Sequence, residues 1–123
     1  MATTGGAGIV SGDRHDAEDL SRMFLLPPFR HTYLLQEPIN LRWGEKKLTD
    51  LCRQVIGVEP KVGDAFLFFN RKQDSLKLFF RDPTGFNDVQ KWMPRGGFML
   101  PAPVEGQDFI KIAPKLVQKL FKA

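Results

Sequence analysis

Short apolar runs separated by polar breaks dominate the middle of the chain. Asp64 to Lys91 reads DAFLFFNRKQDSLKLFFRDPTGFNDVQK. Two aromatic-rich runs, Ala65–Phe69 and Leu76–Phe80, flank a polar centre at Asn70–Ser75, and a second break follows at Asp82–Gly85. Runs of this length, bounded by Asn, Asp, Pro and Gly, are the pattern of antiparallel strands joined by tight turns. Asn70, Asp74, Ser75 and Pro83 would interrupt a helix over the same span. The pattern predicts a central hairpin over about residues 64–82, with Phe86–Met93 as a third strand. Upstream, His31–Gln36 is expected to form a first short strand.

The period changes between residues 41 and 56. Leu41, Leu48, Leu51, Cys52, Val55 and Ile56 recur at helical spacing, with Arg42, Lys46, Lys47, Asp50 and Arg53 mostly on the opposite side. This predicts an amphipathic helix packed across one sheet face, with Asn40 as N-cap and Gly57 at a left-handed C-cap. Further on, Phe98–Leu100 reads as a short strand or arm, and Phe109–Ile112 as another strand. A C-terminal helix is expected from Pro114, with Leu116, Val117, Leu120 and Phe121 as its apolar stripe and Lys115, Lys119 and Lys122 opposite. The fold class is therefore α+β: a small antiparallel sheet built on the hairpin, one helix across a face, and a terminal helix. Residues 1–22 are small, polar and Gly-rich without apolar periodicity, which predicts a weakly ordered extension before a single domain over 23–123.

Composition narrows the class without changing the picture. Length, at 123 residues, suits one domain, and eleven Phe among fourteen aromatic residues point to a Phe-rich core. The single cysteine excludes an internal disulfide and a cysteine-based metal cluster. No run approaches the roughly 18 apolar residues of a membrane span, so no membrane association and a cytoplasmic location are expected. The net charge is +4. Residues 1–22 carry two arginines against four acids, a balance of −2, which leaves +6 on the remainder. Such a surplus favours polyanion partners.

Catalytic patterns are missing from the sequence. His15 and His31 lie far apart, Cys52 falls on the apolar helix face, and no phosphate-loop, dinucleotide or nucleophile-elbow pattern occurs. Asp64, Asp74, Asp82 and Asp88 lie at strand ends or turns, where turn chemistry explains them. A non-enzyme without metal or cofactor is expected. The basic and aromatic residues offer more. Strand alternation puts Lys77, Phe79 and Arg81 on one face, opposite Leu76, Leu78 and Phe80. Arg71 and Lys72 sit at the hairpin tip, and Lys91, Trp92 and Arg95 at the end of the third strand. Left open, that face would be cationic with exposed aromatics, suited to phosphate contacts and base stacking. Alternatively, the chain's own ends or another subunit cover it, since a sheet with Phe on both faces calls for two covering layers.

The block Phe68-Phe69-Asn70-Arg71-Lys72-Gln73-Asp74-Ser75-Leu76-Lys77-Leu78 resembles that of the small TnpB-type accessory proteins of insertion sequences of the sixty-six group, encoded beside the transposase and distinct from the RNA-guided nucleases sharing the TnpB name. The likeness extends to Asp82-x-Thr84-Gly85-Phe86, Lys91, Gly97-Phe98 and Pro101, and upstream to Pro38-Ile39-Asn40-Leu41-Arg42 and Val55-Ile56-Gly57-x-x-Pro60-x-x-Gly63. Arg81 and Trp92 depart from the family's usual residues. The resemblance implies a bacterial, non-catalytic accessory of DNA transposition. Its expected partners are DNA or a DNA–transposase assembly, met through Arg42, Arg71, Lys72, Lys77, Phe79, Arg81, Lys91, Trp92 and Arg95. The alternative is a protein-interaction module that docks on a transposase, or on a second copy as a homodimer, through its Phe-rich face.

Overall fold

The computed structural model describes residues 26–122. The extension expected over 1–22 and the domain start at residue 23 lie outside the described residues. Among the described residues five strands form one sheet: β1 (His31–Leu35), β2 (Asp64–Phe69), β3 (Ser75–Asp82), β4 (Gly85–Trp92) and β5 (Phe109–Ile112). Their order across the sheet is β4-β3-β2-β1-β5. Among the described residues two helical segments accompany them: α1 (Glu45–Leu51), which widens into a π turn over Cys52–Ile56, and α2 (Pro114–Phe121).

The fold class is α+β, as the pattern predicts, but the sheet is mixed. The hairpin pairs are antiparallel, with Leu67 opposite Leu78 and Leu78 opposite Val89. β1, however, runs parallel to β2, with Tyr33 opposite Phe66. The reason is the helix between them: α1 carries the chain back to the end where β1 began, so the next strand starts in the same direction. β5 closes the other side antiparallel to β1.

Every residue of β2 is buried, so the strand has apolar contacts on both faces. On one face Tyr33, Leu35, Phe66, Phe68 and Phe79 meet Leu41 and, from the α1 segment, Leu48, Cys52 and Ile56. On the other, Leu34, Ala65, Leu67, Phe69, Leu76, Leu78 and Phe80 meet Phe29 and Val117, flanked by Phe98, Leu100, Leu120 and Phe121. Both faces are therefore covered by the chain itself. Full burial of one such Leu or Phe stabilises by roughly 1.5–3 kcal/mol. Residues 98–100 form no strand; they lie as an arm along the second core, held where the Phe98 amide donates to the Gln73 carbonyl.

Helix α1 starts later than its periodicity suggests. Asn40 does not cap it: its Oδ1 accepts from the Arg42 amide, and its carbonyl accepts from the Trp43 amide, closing a tight turn. A short Asn side chain competes for nearby backbone donors in this way. Gly44 then occupies the N-cap without a side-chain bond. Leu41 is buried from the turn instead of from the helix. At the far end the Gly57 amide donates to the Cys52 carbonyl at 2.7 Å, with Gly57 at φ 78°, the expected left-handed cap. A Cβ at Gly57 meets no neighbouring atom, so its cost is purely conformational. Gly57→Ala is expected to destabilise the fold by about 1–2 kcal/mol. Chemical denaturation of the two proteins measures it, and equal midpoints would contradict the left-handed assignment.

Candidate nucleic-acid interface

The hairpin tip is built by its own side chains. Asn70 Oδ1 accepts from the Asp74 and Ser75 amides while Asn70 Nδ2 donates to Asp74 Oδ1 at 2.7 Å. Gln73, at φ 58°, donates its amide to the Asn70 carbonyl. Asn and Asp favour such turns because their short side chains reproduce backbone hydrogen bonds. Arg71 and Lys72, between these anchors, are exposed.

The other expected site residues separate into three groups. Lys77 and Phe79 do share a face, but that face lies under the α1 segment, and they are 5% and 1% exposed. Lys77 Nζ donates to the Leu41 carbonyl at 2.8 Å and the Trp43 carbonyl at 2.9 Å, with Asp88 at 3.7 Å. The open cationic face expected around them is therefore replaced by a sealed one, and Lys77 joins the hairpin to the 40–43 turn. Lys91 is half-buried on the other face, where its Nζ donates to the Leu120 and Lys122 carbonyls and caps the end of α2. Arg81 lies at the opposite end of the sheet from the hairpin tip, 5.5 Å from the Phe86 ring.

What remains comes together at the loop end of the sheet. Trp92 is 65% exposed and pairs with Ser75 at the base of the tip. The Met93 amide donates to the Asp74 carbonyl and the Phe98 amide to the Gln73 carbonyl, pinning the loop that carries exposed Arg95 against the same tip. On the α1 side, Arg71 and Trp43 line one shallow groove with Pro38, Ile39 and Asn40. Arg42 is exposed beside it, and Lys47 Nζ sits 4.4 Å above the Trp43 ring. Glu37 and Glu45 are the exposed acids of this segment. Trp43 and Lys47 were not among the expected contact residues, although their four-residue spacing was the available signal. The end of α2 also reaches this rim through Lys91, adding exposed Lys119 and Lys122 from a helix that carries no acid.

Titratable groups elsewhere have structural explanations. Burial, with Glu59 nearby, pushes the Cys52 thiol up to about 12, so it stays protonated at neutral pH. Asp82 Oδ1 accepts from the Thr84 amide and hydroxyl and the Gly85 amide, and Oδ2 from Asn87 Nδ2. The Thr84 and Asn87 side chains hold its carboxyl below the usual range. Glu59 is lowered chiefly by its hydrogen bond from Arg53, Nε to Oε1 at 2.7 Å. Among the described residues no group of three or more His, Cys, Asp or Glu could hold a metal ion, and no helix is long and apolar enough to cross a membrane.

A family model described as IS66 Orf2 like protein matches residues 30–123, most of the chain. The chain belongs to that family. It is also similar to a protein of Sinorhizobium fredii (strain NBRC 101917 / NGR234) described as "Uncharacterized protein y4jC", at 29% identity over 70 residues, 57% of this chain and 60% of that protein. The chain thus spans less than two thirds of that relative's length. No solved structure matches it.

Within the IS66 Orf2-like sequence, Lys77 and Arg81 are expected to differ sharply. Removing the Lys77 amine orphans the buried Leu41 carbonyl and the half-buried Trp43 carbonyl, at about 1–3 kcal/mol of desolvation plus the lost packing of its stem. Lys77→Ala should therefore lower the thermal midpoint strongly, whereas Arg81→Ala should stay within about 0.5 kcal/mol of the parent. Equal midpoints would return Lys77 to the surface.

Proposed function

We propose that this IS66 Orf2-like protein is a non-catalytic accessory of DNA transposition that grips the phosphate backbone with the loop end of its sheet. One observation carries the reading: Arg42, Arg71, Lys72, Trp92 and Arg95 are all exposed, on three segments tied to the same hairpin tip. Trp43 with Lys47 extends that surface. Cations on short, anchored loops meet phosphate oxygens with little loss of freedom, and an exposed Trp offers a surface for an unpaired or distorted base.

The Phe-rich docking face weighed above loses its support, because Phe79 and its neighbours face the α1 segment. A transposase contact remains compatible with the same basic end, where the protein would join a DNA–transposase assembly instead of holding naked duplex.

The test is a fluorescence-anisotropy titration of duplex carrying the element's end at several salt concentrations. Affinity should fall steeply with salt, with a slope of about −0.9 for each phosphate neutralised. The double substitution Arg71→Ala, Lys72→Ala should make that slope shallower by about 2 and weaken binding at every sequence tested. Arg81→Ala, at the opposite end, should leave both unchanged. Absence of binding at low salt, or equal effects of the two variants, would remove the proposal.

A further inference from the structure

The outer edge of β4 has features that sheet edges normally avoid. β4 is the terminal strand of the sheet, and all eight of its residues pair with β3 in one unbroken register. The next residue, Met93, donates its amide to the Asp74 carbonyl of the β3 side. Antiparallel backbone groups alternate in direction, so Phe86, Asp88, Gln90 and Trp92 aim their N–H and C=O groups away from β3. An edge of this length is ordinarily blunted by Pro, by a bulge or by an outstretched Lys. β4 contains no Pro and no bulge, and its one lysine, Lys91, is folded back onto the end of α2. The opposite edge, β5, is only four residues long and runs into Pro114.

The side chains of β4 are arranged symmetrically about Val89. Phe86 and Trp92, three residues to either side, are both exposed, at 39% and 65%, on the same sheet face. We propose that β4 pairs antiparallel with β4 of a second copy of this chain, about a two-fold axis through Val89, making one continuous sheet. In that register Phe86 of each copy stands opposite Trp92 of the other, and Asp88 opposite Gln90. The outward N–H and C=O groups of all four residues are then paired. Cross-strand aromatic pairs favour such a register, whereas like charges directly opposite oppose it. Centring the axis on Asp88 sets that carboxylate against itself. Centring it on Gln90 puts Phe86 against Pro94, which has no N–H to give. A strand-edge contact is smaller than the standard interface of roughly 1,600 Å², so association is expected at micromolar protein and above.

The experiment is sedimentation equilibrium of the full chain over about 1–100 µM, a range suited to an interface of that size. The parent should associate to a dimer. Gln90→Pro, which deletes an outward donor while leaving the β3 ladder intact, should sediment as a monomer with an unchanged circular-dichroism spectrum. Val89→Cys should give a disulfide-linked dimer on mild oxidation, since the two residues face each other on the axis, and Lys111→Cys on β5 should not. Salt that releases DNA should leave the dimer in place, which separates this outcome from that of the DNA titration. A parent that stays monomeric, a Gln90→Pro protein that still dimerises, or cysteines that cross-link equally at both positions would overturn the proposal.

Discussion

A strand buried on both faces cannot be completed by one covering layer. β2 imposes that condition here, because no residue from Asp64 to Phe69 can be left in water without exposing part of an aromatic ribbon. The order of elements follows from it. The chain spends residues 36–56 building a cover for one face before β2 is laid down, which is why β1 and β2 run parallel. After β4 it crosses to the other edge, adds β5 beside β1, and returns over the second face as α2. Val117, wholly buried among the second-face residues, marks where that cover seats.

Lys77 shows how the two halves of the molecule are joined. It projects from β3 into the face that α1 covers, where an amine is costly unless its donors are used. Leu41 and Trp43 use them, since the 40–43 turn leaves their carbonyls outside any helix. The upstream and hairpin blocks of the family pattern are thus in direct contact. Much of that pattern is architecture: Asn70, Asp74 and Asp82 make turns, Lys77 joins the halves, and Lys91 caps α2. Arg42, Arg71 and Lys72 are cationic parts of it that face outward, from the loops at one end of the sheet.

The sequence made the local elements plain and the coverage of the faces obscure. Turn residues at Asn70–Ser75 and Asp82–Gly85 placed the hairpins to within a residue or two, and Gly57 placed the helix end. Alternation correctly put Lys77, Phe79 and Arg81 on one face. It could not say whether that face was covered, because the covering residues lie dozens of positions away and carry no signal of where they dock. The parallel pairing of β1 and β2 is likewise a property of the intervening crossover, not of either strand. The exposure of Arg71, Lys72, Trp92 and Arg95 was legible because turn and strand ends are where long polar side chains reach solvent.

The sheet is sealed from both sides by this one chain, with α2 as the second seal. The direct measurement is the thermal unfolding curve of the protein ended after Ala113. Loss of α2 uncovers Leu76, Leu78 and Phe80, so the cooperative transition should disappear or shift far down, with aggregation at concentrations where the parent is clear. A transition of undiminished midpoint and sharpness would contradict it.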